Sequence, residues 1–261
     1  MFSKSRVKIA GLIVIVAVMA LGTVAYATHS WGPYHWARTA NPFTVKLGDN
    51  ATTAWDAYLA EASTDWSQSS VLDTTVVTGN AGNPKRCRAT SGRVEVCDAA
   101  YGFNGWLGVA SIWVNGNHIT QGTVKMNDSY FNTATYNTPP WRRLVMCQEI
   151  GHTFGLAHQD ENFSNANLGT CMDYTSDPDG PPSNEHPNAH DYTQLETIYA
   201  HLDSYNSSFA SVPSGPGKHA EETDVAEWGK SLKQDGKGRT SLYERDLGKG
   251  EKLFTFVLWA E

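Results

Sequence analysis

Charged residues are scarce in this 261-residue chain, with Asp, Glu, Lys and Arg making up 18% of it against about a quarter of an average globular protein. With 40% apolar residues, that excludes a disordered polyelectrolyte. Positive charge is scarcer still. Three of the 20 Lys and Arg, namely Lys4, Arg6 and Lys8, lie at the extreme N-terminus, so the remainder sets 17 basic residues against 27 acidic ones, a net −10. Such a balance argues against nucleic acid as a partner. Long apolar runs are nearly absent too: the single one, Ile9 to about Val24, follows those basic residues and precedes Ala25, Tyr26 and Ala27. This reads as a signal peptide, 1–27, cleaved at an A-x-A site before Thr28, leaving a secreted chain without a stable membrane anchor. Cysteine is limited to Cys87, Cys97, Cys147 and Cys171, with no CxxC pair of the kind thiolate zinc sites use. An even count in an oxidising compartment reads as two disulfides. Of three connectivities, the one with the shortest loops pairs Cys87 with Cys97 and Cys147 with Cys171.

Beyond Thr28 the chain reads as α+β. A strand is expected at FTVKLGD, and Trp55, Tyr58, Leu59, Ala62 and Trp66 follow at helical spacing behind the capping candidates Asp49 and Asn50. Four β-rich runs, VLDTTVVT, GRVEVCDAAYG, WLGVASIWV and ITQGTVKMN, are separated by Gly, Asn and Pro turn signals. Thr138 with Pro139 and Pro140 then looks like the start of a second helix, WRRLVMCQEIGHTFG. In DYTQLETIYAHL, Asp191 can cap a further helix with Gln194 at its third position, and Tyr192, Leu195, Ile198, Tyr199 and Leu202 form one apolar stripe. A Ser, Gly and Pro-rich stretch, 206–239, reads as a linker. The last 22 residues, 240–261, read as a β-hairpin that must pack on the preceding domain, 28–205, or on a partner.

The chemistry lies in QEIGHTFGLAH. Gln148 and His152, four residues apart, project from one helical face with Glu149 beside them. Gly155 can end the helix in the left-handed conformation and bring His158 back to the same place. The result is a three-donor metal site with one open position and a carboxylate at hand. This segment resembles the metzincin zinc metalloproteases, most closely the matrixin-type secreted peptidases, whose signature is HExxHxxGxxH. Every position matches except the first, where Gln148 stands for histidine. The resemblance extends to a methionine turn at Cys171, Met172, Asp173 and Tyr174.

The resemblance implies a twisted mixed sheet, an active-site helix and a small lower lobe. It further implies Zn2+ held by Gln148, His152 and His158, and a metal-activated water with Glu149 as general base. WLGVASIWV would include the edge strand along which an extended peptide or protein substrate aligns. Cys147–Cys171 would tie the active-site helix to the methionine turn. Asp160 is a candidate partner for a ligating imidazole, and Tyr174 a candidate for transition-state support. Asp177 and Asp179 with Gly180 hint at Ca2+, although the spacing is not that of an EF-hand. His186 and His190 can reach the cleft but read more simply as surface-loop residues, His29 or His35 could reach back to a metal, and His118, His201 and His219 have no spacing argument. No propeptide cysteine precedes the first strand to block the metal. The expectation is a monomeric secreted zinc endopeptidase; the alternative is a catalytically inactive binding protein on the same scaffold.

Overall fold

The computed structural model describes residues 28–208 and 225–261. The expected signal peptide, part of the expected linker and His219 lie outside the described residues. Nine strands make one mixed sheet: β1 (His35–Trp36), β2 (Phe43–Asn50), β3 (Leu72–Thr78), β4 (Val94–Ala99), β5 (Trp106–Asn115), β6 (His118–Asn127), β7 (Lys230–Gln234), β8 (Thr240–Gly248) and β9 (Glu251–Trp259). Their order across the sheet is β3-β2-β4-β6-β5-β9-β8-β7, with β1 beside one end of β6. Pairings among β1, β2, β3, β4 and β6 are parallel; β5 joins β6 antiparallel and opens an antiparallel half continued by β9, β8 and β7.

Among the described residues four α-helices accompany the sheet: α1 (Asp56–Trp66), α2 (Asp128–Phe131), α3 (Pro139–His152) and α4 (Ala189–Ile198). The apolar stripe of α1 meets α3 and the sheet, and Trp36, Trp55 and Trp66 are wholly buried in that core. Indole N–H groups also bond carbonyls at the end of a helix. Trp31 Nε1 donates to His152 O at 3.1 Å and Trp36 Nε1 to Thr153 O at 2.9 Å, fixing the end of α3 where the site begins.

Both disulfides of the short-loop pairing form, Cys87–Cys97 and Cys147–Cys171. The second closes a separation of 24 residues, a length that contributes about 3 kcal/mol in the chain-entropy account. No helix among the described residues is long and apolar enough to cross a membrane.

Local expectations fail in three places. Asp49 and Asn50 belong to β2, and the N-cap of α1 is Trp55, which makes no side-chain cap bond. The cap of α4 is Asn188: its side chain takes the His190 and Asp191 amides while Asp191 returns a bond to the Asn188 amide, so Asp191 is the reciprocal partner. Strand β7 and a 3-10 turn, Val225–Glu227, lie inside the stretch read as a linker. The final hairpin packs on the sheet through β9, and this changes the site.

Candidate metal centre

Helix α3 carries Gln148, Glu149 and His152 on its last turns, and Gly155, at φ 101°, turns the chain so that His158 comes back to His152. The two imidazole Nε2 atoms stand 2.9 Å apart. Each ring is oriented through its other nitrogen. His152 Nδ1 lies 2.7 Å from Leu156 O, and because a carbonyl only accepts, that nitrogen carries the proton. His158 Nδ1 lies 2.7 Å from Glu161 Oε1. Burial alone would raise the Glu161 carboxyl, but the His158 hydrogen bond and Lys233 Nζ at 3.0 Å hold it down at about 2. The ionised carboxylate therefore fixes the proton on His158 Nδ1. Burial also holds both imidazoles below the usual histidine value, His152 most strongly. Two neutral rings thus aim lone pairs at one point, as ligands to a shared cation do.

The Gln148 amide is held in a defined orientation. Its Nε2 donates to Cys171 O at 2.7 Å and faces Asp173 O at 3.5 Å, two acceptors that force the amide nitrogen to that side. Its Oε1 is left buried with no hydrogen-bond partner. The departure from histidine thus puts a neutral oxygen donor on α3 and ties its other end to the methionine turn. The Met172 sulfur lies against the backbone of Gly151, between the motif's ligands.

Both oxygens of Glu149 are buried without a hydrogen-bond partner of ordinary geometry. Burial raises its pKa well above the carboxylate range, eased only slightly by the Ala110 backbone. Gly108 on β5 makes room for it. A Cβ there would stand 2.5 Å from Glu149 Oε1 and 2.7 Å from Val145 Cγ1, so the strand approaches the helix closely only because this residue has no side chain. Nothing in the sequence reading singled out Gly108; a glycine inside a β-branched run was its only signal.

The structure separates other expected site residues from the donor set. Asp160 does not support an imidazole: its carboxylate takes the Asn162 amide and Asn165 Nδ2, at 2.9 Å for the latter, while its neighbour Glu161 holds His158. Sequence reasoning placed that role one residue early. Tyr174 does lie at the site, its ring 4.5 Å from that of His158, but its hydroxyl donates to Val257 O at 2.8 Å. His186 faces Asp65 at 2.7 Å, and His190 contacts Gln159 and stacks on His29. The calcium expectation at Asp177 and Asp179 finds no support; Asp177 O instead closes a turn to the Gly180 amide.

The expectation that β5 is a free edge is overturned. Strand β9 pairs antiparallel with β5 from Trp106↔Trp259 to Asn115↔Glu251 and occupies the ladder along which a substrate would lie. Phe256, opposite Ala110, stacks on His152 with ring centroids 4.0 Å apart and planes 11° apart. Ser241 on β8 donates to Glu161 Oε2 at 3.0 Å. Gln148, Glu149 and His152 are 0% exposed and His158 is 3% exposed. The C-terminal strands close the centre.

No protein-family model matches the sequence, and no curated protein matches it. Solved structures that match include that of myroilysin, 11% identical over 63% of this chain and 96% of that chain, with a TM-score of 0.37. Another is high choriolytic enzyme 1, a hatching enzyme zinc-protease from the medaka fish Oryzias latipes, 10% identical over 64% of this chain and 94% of that one, with a TM-score of 0.35. At these scores the likeness carries no argument about the site, whose chemistry rests on its own residues.

Proposed function

We propose that the chain is a secreted zinc-dependent endopeptidase whose centre is held closed by its own C-terminal strands. The observation that carries this reading is the pair of buried imidazoles, each with an acceptor behind Nδ1 and with Nε2 atoms 2.9 Å apart, together with the buried, unpartnered Oε1 of Gln148 one helical turn before His152. Such a donor set fits zinc: two neutral nitrogens and one oxygen, each oriented from behind. Gln148, His152 and His158 would hold the ion, which supplies Lewis acidity to peptide hydrolysis.

The chain's own residues do the remaining work. Glu149 takes a proton from the attacking water and returns it to the leaving amine, a role suited to a carboxyl that burial inclines to hold a proton. Leu156 O and Glu161 keep His152 and His158 in the ligating tautomer. The Cys171 carbonyl keeps Gln148 Oε1 available. With β9 withdrawn, β5 offers its ladder to an extended peptide, and the Tyr174 hydroxyl loses the Val257 carbonyl and is free to turn toward a substrate.

A second reading has a specific observation in its favour: a centre buried this completely, with a glutamine ligand, also suits a secreted binding protein that never turns over. The purified secreted chain, assayed for bound zinc and for chelator-sensitive cleavage of peptides with and without opening of the C-terminal strands, separates the two. Zinc bound with cleavage on opening supports the peptidase; zinc bound with no cleavage in the open form supports the binding protein. Absence of zinc removes the first reading.

A further inference from the structure

A second convergence of donors lies on elements that contribute nothing to the first. Strand β1 pairs with β6 in the register His35↔His118, which sets two imidazoles side by side at the start of both strands. The segment after α4 brings His201 and Asp203 against them. His35 Nε2 stands 3.2 Å from His201 Nε2 and 3.5 Å from Asp203 Oδ2. His118 Nε2 lies 3.1 Å from Asp203 Oδ1, and His201 Nε2 lies 3.7 Å from the same oxygen. All three histidines therefore present the same ring atom, Nε2, to one carboxylate.

The spacing has a physical meaning. Donors about 2.0–2.1 Å from a zinc ion at tetrahedral angles lie about 3.3 Å from one another. The separations of His118 and His201 from Asp203 Oδ1, 3.1 and 3.7 Å, and that of His35 from His201, 3.2 Å, fall near that value, and the ligand atoms of His35, His118 and Asp203 all lie within 4.8 Å of one another. Tautomers agree as well. His35 Nδ1 lies 2.8 Å from Pro33 O, an acceptor that requires the proton on Nδ1 and leaves Nε2 as a lone pair. His118 Nδ1 is paired with the Tyr205 hydroxyl at 2.9 Å. Arg38 orients the carboxylate, donating from its backbone amide at 3.2 Å and from Nη1 at 3.0 Å to Asp203 Oδ2, so that Oδ1 faces His118 and His201. Its Nη2 also donates to the carbonyls of Tyr199 and His201, holding the ligand-bearing segment in place.

We infer that His35, His118 and Asp203, with the exposed His201 beside them as fourth donor, form a second metal site, a four-donor centre for a divalent transition ion of the zinc class. Three imidazoles and one carboxylate fill a tetrahedral shell and leave no open position, so its role is structural. It staples the N-terminal segment and the segment after α4 to the start of β6. His35 is buried and the Asp203 side chain is 9% exposed while the His201 side chain is 58% exposed, which gives an ion a way in past a ligand able to swing aside. The inference does not depend on zinc binding at Gln148, His152 and His158.

The test is a zinc count on the full secreted chain after dialysis. In His152→Ala/His158→Ala, where the first centre is dismantled, one zinc per chain is expected, and cobalt in its place should give the strong visible absorption of four-coordinate geometry. Adding His201→Ala, at an exposed position that leaves the core untouched, should abolish binding with circular dichroism unchanged. Tyr205→Phe should keep the ion but bind it roughly 10-fold more weakly, the usual cost of losing a partner behind a ligating histidine. A double variant that folds and binds no zinc overturns the inference. If the double variant does not fold, the count falling by one from wild type to His201→Ala supports the site, and equal counts overturn it.

Discussion

The sharpest test of the closed centre is Phe256→Ala. Phe256 is 1% exposed, stacks on His152, meets Trp31 edge-on at 5.7 Å and pairs with Ala110 on β5 and Leu242 on β8. Removing a buried phenyl ring costs about 3–5 kcal/mol. The central sheet, α1 and α3 have their own core, so the loss should fall mainly on docking of β8 and β9. At 1.4 kcal/mol per tenfold, the lower figure raises the open population roughly 100-fold. Cleavage of an internally quenched peptide and the rate of zinc exchange should both rise by about that factor, while Phe254, Leu253 and Leu258, still buried on β9, keep the variant mostly closed. Hydrogen exchange at the β5–β9 ladder reports the opening, and Glu149→Gln in the same background must remain inactive. An opened ladder with no gain in cleavage or zinc exchange would refute the argument that β9 is what restrains the site.

Four further outcomes follow from the same geometry. Glu149→Gln in the opened form should cut turnover by about 100- to 10,000-fold with an unchanged zinc count, since it removes a base and no ligand. Gln148→His should hold zinc more firmly against a chelator and Gln148→Ala should release it; equal retention in Gln148→Ala would show that the amide is no ligand. Glu161→Gln, which removes the charged partner of His158 Nδ1, should weaken zinc binding by about 10- to 100-fold, measured by competition with a chromophoric chelator. Burial first, then the hydrogen bond shared with Asp98, push the Asp128 carboxyl up to about 7; the folded state then holds a proton the unfolded state has released, so stability present at low pH is lost as pH rises toward and through 7. Asp128→Asn, which can still accept from Trp55 Nε1, should flatten the fall in melting temperature between pH 5 and 8, and an unchanged slope would count against it.

Much of the first centre was legible because its geometry is local. The i, i+4 spacing of Gln148 and His152, the glycine turn at Gly155 and the return of His158 are properties of eleven consecutive residues, and α3 forms them as the pattern requires. Periodicity likewise exposed α1, α3 and the strands β2 to β6. What escaped depends on tertiary contacts. Glu161 rather than Asp160 supports His158 because the chain bridges Asp160 to Asp173 and turns the next side chain inward, a choice that no spacing encodes. His35, His118 and His201 meet through a parallel pairing across 83 residues and a loop after α4, separations at which single-sequence patterns are silent.

The covering of β5 shows the same limit and carries the stronger consequence. A resemblance built on two local motifs assigns β5 an open edge, yet the run EKLFTFVLWA has alternate residues Leu253, Thr255 and Val257 as buried as Phe254, Phe256 and Leu258. A strand buried on both faces cannot be an appended hairpin facing water; it belongs inside a sheet. Its backbone also has two edges to pair, and β8 fills only one. The other needs a strand with an unfilled ladder, and β5, paired on one side to β6, is such a strand. The contact that shuts the metal centre is thus also the one that completes the sheet: the ladder a substrate would use and the ladder that completes the fold are one and the same.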